Sequence, residues 1–241
     1  KQEVVSSIDE QGKLTEEISA AVSNAVTLVE VEDIYRPFKP KRKTRASVAR
    51  EKGLETLSTY IMLQNINANP QKEAEKFIDE EKGVSSAEDA LQGAMDIIAE
   101  DISDDAALRK EMRALFFRIG NVVSKAADAD AESVYTNYYD FSEPVKKIAG
   151  HRILAIDRGE KEGFLKVTVE VAGGEAENLV CSKYVKNQSE SGELVRAAAE
   201  DSYKRLICPS IEREIRADLT STAAEQAIKV FSSNLRQLLM Q

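Results

Sequence analysis

Apolar residues recur at helical spacing along most of this 241-residue chain. The pattern is clearest over residues 209–239, where apolar positions follow one another at intervals of three or four. Only 5 prolines and 11 glycines interrupt the chain, and it has no tryptophan. These features predict a mainly α, multi-helical scaffold with a long C-terminal helix, and they argue against a β-sandwich with an aromatic core.

One stretch departs from the helical pattern. Leu165, Val167 and Val169 alternate with polar residues, which predicts a strand and hence one small β element near residues 153–171. Two interpretations of the preceding residues stay open. Either RGEKEG closes a hairpin between two strands, or residues 144–156 are helical and only the second run is a strand. We favour a helix for residues 144–150 and leave residues 153–156 undecided.

Two consecutive helices are predicted before that stretch. Residues 87–98 carry one apolar stripe, and residues 108–123 carry another. Ser103 is the expected cap of the second helix. The short connection predicts a helix-turn-helix-like part, although its acidic composition disfavours contact with DNA.

The pattern divides the chain into two predicted regions. Residues 1–135 form an N-terminal helical region, and residues 136–241 form a helical region with the small β element and the long C-terminal helix. The chain begins with Lys1, and helical patterns already run at both ends, so we expect a fragment of a longer protein.

A basic arm, defined as residues 36–52 within RPFKPKRKTRASVAREKG, stands out in this acidic chain. It carries +7 within a net charge of -9, which leaves -16 for the other 224 residues. Such a patch can attract phosphates, since each phosphate that is neutralised releases condensed counterions. The candidate phosphate contacts are its cationic residues Lys39, Lys41, Arg42, Lys43, Arg45 and Arg50.

Two interpretations of the basic arm compete. Charge runs usually form a solvated surface, and this one could also dock on acids of the same protein, such as those in VEVEDIY. However, Pro37 and Pro40 favour a rigid, extended backbone. Thr44 and Ser47 are potential helix N-caps, a place that favours anions. A rigid arm leading into a helix is a better phosphate site than a flexible lysine tail.

Residues for catalysis or metal binding are sparse. The single histidine, His151, lacks an evident nucleophile and orienting partner, so we interpret it as structural. Cys181 and Cys208 are expected to be free, packed thiols in a reducing compartment. We therefore predict no enzyme activity, no cofactor, no metal and no membrane span, and a cytoplasmic location.

Three stretches together resemble one family. They are VEDIYRPFKPKRKTRASVAREKGLETL, YYDFSEPVKKIAGHRILAIDRGEKEGFLKV, and EDSYKRLICPSIEREIRADLTSTAAEQAIKVFSSNLRQLL. They are similar to the signature segments of the Tex family of bacterial transcription accessory factors, and to the core of a eukaryotic elongation factor and histone chaperone. AGHR departs from the family's pattern, in which Pro-Ser often precedes His-Arg, and this affects one local turn.

The resemblance implies a bacterial, cytoplasmic nucleic-acid-binding protein. It further implies that a YqgF-type RNase-H-like domain, a helix-hairpin-helix region and an OB-fold RNA-binding domain would follow, and that these are absent from this chain. No catalytic residue of the family maps onto this segment. The favoured hypothesis is a non-catalytic N-terminal scaffold of an RNA- or DNA-binding transcription factor. The alternative is a protein-interaction module that docks to another transcription component or to the protein's own domains.

Overall fold

The computed structural model describes residues 1–39 and 43–240 and is mainly helical. The helices are α1 (Gln2–Glu10), α2 (Glu16–Asn24), α3 (Leu28–Tyr35), α4 (Arg45–Glu51), α5 (Glu55–Leu63), α6 (Pro70–Ala74), α7 (Ala87–Asp104), α8 (Ala106–Ile119), α9 (Gly150–Lys161), α10 (Glu175–Tyr184), α11 (Glu190–Asp201) and α12 (Cys208–Leu239). The strands are β1 (Asn121–Ala126), β2 (Asp140–Pro144) and β3 (Leu165–Glu170). The predicted mainly α fold with a long C-terminal helix and a small sheet is confirmed.

The sheet is larger than the sequence pattern suggested. The helix predicted through residue 123 ends at Ile119, and β1 follows. Gly120 makes this change possible, since a Cβ there would lie 2.3 Å from the carbonyl oxygen of Phe116. The favoured helix over residues 144–150 is wrong, because β2 runs to Pro144 and α9 begins at Gly150. The hairpin interpretation is also wrong, because RGEKEG forms the end of α9 and the turn after it.

The junction between α7 and α8 also differs from expectation. Ser103 lies inside α7, where its hydroxyl donates to the carbonyl oxygen of Glu100. Asp105 caps α8 instead, because its carboxylate accepts hydrogen bonds from the backbone amides of Ala107 at 2.8 Å and Leu108 at 3.1 Å. A helix-turn-helix function for this pair stays a prediction.

The chain separates into two compact units, each made of two segments. Unit 1 comprises Lys1–Glu111 with Glu177–Ile207, and unit 2 comprises Met112–Ala176 with the described part of Cys208–Gln241. The division into residues 1–135 and 136–241 stays a prediction.

Helix α7 forms the centre of unit 1. It packs against α4, α5, α6 and α11. Its apolar residues Ala94, Ile97 and Ile98 are buried because they share the faces that these helices cover. The N-terminal helices form a smaller cluster around Val22 and Val31.

A buried ion pair links α3 to α8. Nε of Arg109 donates to Oδ1 of Asp33 at 2.8 Å, and the side chains are 1% and 6% exposed. Because both charges have left water, each depends on the other for compensation.

In unit 2 the antiparallel sheet has the order β2-β1-β3, with Val123 opposite both Ser142 and Thr168. The alternating residues Leu165, Val167 and Val169 are buried, and both α9 and α12 contact β3.

Helix α12 also covers the outer edge of β3. The amide of Val169 donates to Oε1 of Glu212 at 3.2 Å, and Arg216 donates to the carbonyl oxygen of Val167 at 3.4 Å. These side chains occupy backbone groups that would otherwise be open to strand pairing.

The aromatic residues of YTNYYDF pack inside unit 2. Tyr135 is buried, and its ring centroid lies 5.9 Å from that of Phe164. Tyr138 meets Phe141 edge to face at 5.4 Å, and the guanidinium of Arg152 lies 5.9 Å from the Phe141 centroid. This geometry agrees with a packing role for the group.

The second half of α12 exposes apolar residues, including Ile228, Phe231 and Leu238. Among the described residues, no helix combines the length and the apolar character needed to cross a bilayer.

Replacing Arg109 with Met should lower the free energy of unfolding by about 3–5 kcal/mol, since the buried Asp33 would lose the charge and the hydrogen bond of Arg109. Chemical denaturation measures this loss. The double variant D33L/R109M should lose less, because it removes both charges of the buried pair. An equal loss in both variants would contradict the account.

Glu30 should make stability depend on acid pH. Its pKa falls from 4.5 to about 2, first because Lys110 donates a hydrogen bond to it and next because the amides of Val26 and Thr27 do so. Because its pKa is depressed in the folded state, ionised Glu30 stabilises the fold at pH values above 4.5, the pKa of the unfolded state. This contribution disappears as the pH falls toward 2.

The variant E30Q should therefore be less stable than the natural chain at pH 7, and the difference should shrink as the pH falls below 4.5. Urea unfolding of both proteins at several pH values measures the difference. A difference that stays constant down to the lowest pH would show that Glu30 has no such linkage.

Candidate nucleic-acid interface

An acidic row on α7 organises the surface around the basic arm. Its three carboxylates recur every fourth residue, so they lie on one helix face. Asp96 pairs with Arg205 at 3.4 Å, Glu100 with Arg50 at 2.7 Å, and Asp104 with Arg36 at 2.9 Å.

The acidic row neutralises part of the basic arm. Arg36 and Arg50 both direct their guanidinium groups toward it, and Arg50 also pairs with Asp101 at 2.5 Å. The interpretation of the arm as a segment docked on internal acids therefore describes these two arginines. A phosphate contact by Arg50 stays a prediction, and such a contact would compete with two carboxylates.

Other cations of the basic arm face solvent. Lys43 and Arg45 are exposed, and no carboxylate within residues 1–39 and 43–240 forms an ion pair with either of them. They flank Thr44, which caps α4 through a reciprocal pair of hydrogen bonds with Ser47, as the sequence predicted.

The three further candidate phosphate contacts are Lys39, Lys41 and Arg42. Lys39 is exposed in the turn after α3, where its amide donates to the carbonyl oxygen of Tyr35 at 3.0 Å. Lys41 and Arg42 lie outside the described residues.

A cleft of about 510 Å³ opens between α4 and α7 beside the exposed cations. One wall carries Lys43, Arg45 and Lys52, and the facing wall, on α7, carries Asp89, Gln92, Gly93 and Asp96. The ammonium of Lys52 donates to the carbonyl oxygen of Gly83 at 2.7 Å. The cleft therefore combines exposed cations with carboxylates and an amide.

Burial raises the pKa of the Asp96 carboxyl, and the positive charges of Arg205 and Arg45 oppose that rise. The influence of Arg45 means that its charge acts across the cleft on a carboxylate of α7.

Sequence reasoning found the cationic wall and missed the α7 wall. Asp89, Gln92 and Asp96 follow a spacing of three and four residues, which places them on one helix face. That spacing was readable from the sequence. The contact between this face and α4 could not be read from the sequence, because long-range helix packing has no local signal.

Gly93 leaves room for the side chain of Leu54, the residue that precedes α5. A Cβ at this position would lie 2.4 Å from Cδ1 of Leu54 and 3.4 Å from the Cβ of Ala49. The first distance is shorter than a carbon–carbon contact permits, so a larger residue would force the buried Leu54 side chain to move.

A second groove, of about 680 Å³, lies in unit 2 between the start of α9 and the distal part of α12. Its lining includes Ile148, Leu154, Val230 and Phe231, and its one ionisable residue is the exposed His151. An apolar lining of this kind offers little to a phosphate.

The two cysteines and the groups that could bind a metal are the remaining reactive features of the described residues. Cys181 is buried and Cys208 half-buried, neither forms a disulfide within the described residues, and burial raises the pKa of the Cys181 thiol. Across residues 1–39 and 43–240, no group of three or more His, Cys, Asp or Glu side chains is placed to hold a metal ion.

Comparison with known proteins gives a consistent result. The family described as Tex central region-like matches residues 65–231. The chain is 46% identical to the uncharacterized protein YdcI of Bacillus subtilis over its whole length. It is 30% identical to the transcriptional accessory protein Tex of Neisseria gonorrhoeae and to the human S1 RNA-binding domain-containing protein 1, each over 98% of the chain.

The fold and the cleft define an α-rich region that has a small antiparallel sheet. Some cations on its surface are paired with internal carboxylates and others are exposed. With these matches, the chain belongs to the Tex family, as the sequence motifs indicated. It spans 34% of the Bacillus relative, 32% of the Neisseria relative and 25% of the human relative.

Replacing Gly93 with Ala should lower the free energy of unfolding by about 1–3 kcal/mol, because the added Cβ overlaps Leu54. Thermal or chemical unfolding measures the change. Adding Leu54→Val removes the overlapping Cδ1, so L54V/G93A should be more stable than the sum of the two single losses predicts. Strict additivity would show that the two residues do not press on each other.

Proposed function

We propose that this chain is a non-catalytic scaffold region of a transcription accessory factor that holds nucleic acid through its basic arm. Lys43 and Arg45 provide the central phosphate contacts, with Lys39 beside them. One observation carries the proposal. These cations are exposed outside the internal ion pairs, whereas their neighbours Arg36 and Arg50 are bound to the acidic row.

The charge distribution supports a polyanionic ligand at this surface. Outside the basic arm the chain carries -16, so most of its surface repels polyanions. The internal pairs hold the backbone on both sides of the exposed cations. A phosphate therefore meets positioned charges, which lowers the entropic cost of binding.

The names of two relatives support the same class of ligand and process. One is a transcriptional accessory protein, and the other is named for an RNA-binding domain. We extend both properties to this chain as part of the proposal. Contact with the transcription machinery and a cytoplasmic location are further parts of it.

The variant K43A/R45A should bind single-stranded RNA about tenfold more weakly than the natural chain. The slope of log affinity against log salt should become shallower by about 1.4, which corresponds to two single-strand phosphate contacts. Fluorescence anisotropy of a labelled oligonucleotide between 50 and 200 mM salt measures both quantities.

The control K72A/R196A removes one lysine and one arginine that are also exposed. It should bind as the natural chain does, because these residues lie outside the basic arm. Equal weakening of RNA binding in both double variants would show that the loss of affinity comes from net charge alone. Unchanged binding by K43A/R45A would remove the proposal and favour the alternative, a protein-interaction module. RNA cleavage that persists through purification would contradict the non-catalytic part.

A further inference from the structure

The cleft between α4 and α7 carries groups that a phosphate alone does not need. Lys43 and Arg45 suit an anion, but Asp89 and Asp96 lie on the facing wall and would repel one. Asp96 is 9% exposed and is held in place by Arg205 at 3.4 Å. A ligand that satisfies both walls must carry an anion at one end and hydrogen-bond donors at the other.

Apolar residues lie between the two walls of the cleft. Val48, Ala49 and Leu54 line it there, and the half-buried Val48 is the most exposed of the three. Its volume of about 510 Å³ lies within the roughly 300–1,000 Å³ of typical ligand sites. A flat, weakly hydrated group fits such a floor better than a second charged group does.

We propose that this cleft takes one unstacked nucleotide of a single strand. Its phosphate lies against Lys43 and Arg45, and the amino edge of its base faces the α7 wall, where Asp89 and Asp96 lie about two helical turns apart. Carboxylates accept hydrogen bonds and donate none when they are ionised, so they select bases that present an amino group. This inference rests on the proposed function, because the strand must first bind at the basic arm.

The arrangement separates two pyrimidines of similar size. Cytosine presents an amino donor at the position where uracil presents a carbonyl acceptor. The negative charge of the α7 wall attracts the donor and repels the acceptor, and one of its two carboxylates accepts the hydrogen bond. A duplex hides these edges in base pairs, so the cleft should distinguish unpaired bases from paired ones.

The test compares oligocytidine and oligouridine of eight nucleotides at pH 7.5 by fluorescence anisotropy. The natural chain should bind oligocytidine at least about fivefold more tightly. K43A/R45A should weaken binding to both oligonucleotides by a similar factor and keep their ratio. Asp89→Asn should narrow the ratio, because an amide can donate to uracil as well as accept from cytosine.

Asp96→Asn is the second variant for the α7 wall, with a thermal melt to check folding because Asp96 pairs with Arg205. This variant too should narrow the ratio of the affinities for oligocytidine and oligouridine. Equal affinity of the natural chain for the two oligonucleotides, combined with a loss in K43A/R45A, would overturn this inference and leave the proposed function standing. A preference for oligocytidine that survives both carboxylate variants would also overturn it. Binding that is insensitive to K43A/R45A would remove the proposed function together with the inference.

Discussion

The acidic row on α7 is the interaction on which the rest of unit 1 depends. Asp96, Glu100 and Asp104 are all buried or nearly so, and a carboxylate in that position must be compensated. Arginines from two distant parts of the chain provide this compensation: Arg36 and Arg50 from the N-terminal third, and Arg205 from the segment before α12. Leaving any one of these carboxylates without its partner would cost more than a surface ion pair gains.

This arrangement divides the described cations of the basic arm into paired and exposed ones. Its paired arginines fasten the arm to α7, and its exposed cations are displayed at a cleft. Positive charge is thus used twice, once for internal compensation and once at the surface. The two roles could not be distinguished from charge counts, because Arg45 and Arg50 have the same chemistry and differ only in what surrounds them. The proposed ligand contacts follow from that difference in surroundings.

Much of the fold was predictable from local patterns, and the clearest exception has a non-local cause. Helical periodicity located α7 and most of α12, and Thr44 was readable as a potential N-cap. The pattern failed at β1, where the apolar stripe of α8 continued in register past Ile119. Strand pairing with β2 and β3 decided that segment, with Gly120 allowing the chain to leave the helix.

The sequence by itself determined the helical class, the position of the basic arm and the family to which the chain belongs. These properties depend on residue types and short spacings, which a chain carries whatever its partners are. Tertiary structure decided which cations are free, and it placed Asp89 and Asp96 opposite Lys43 and Arg45. The physical reason is that charge compensation depends on residues 50 to 109 positions away in the sequence, and helix packing brings these together.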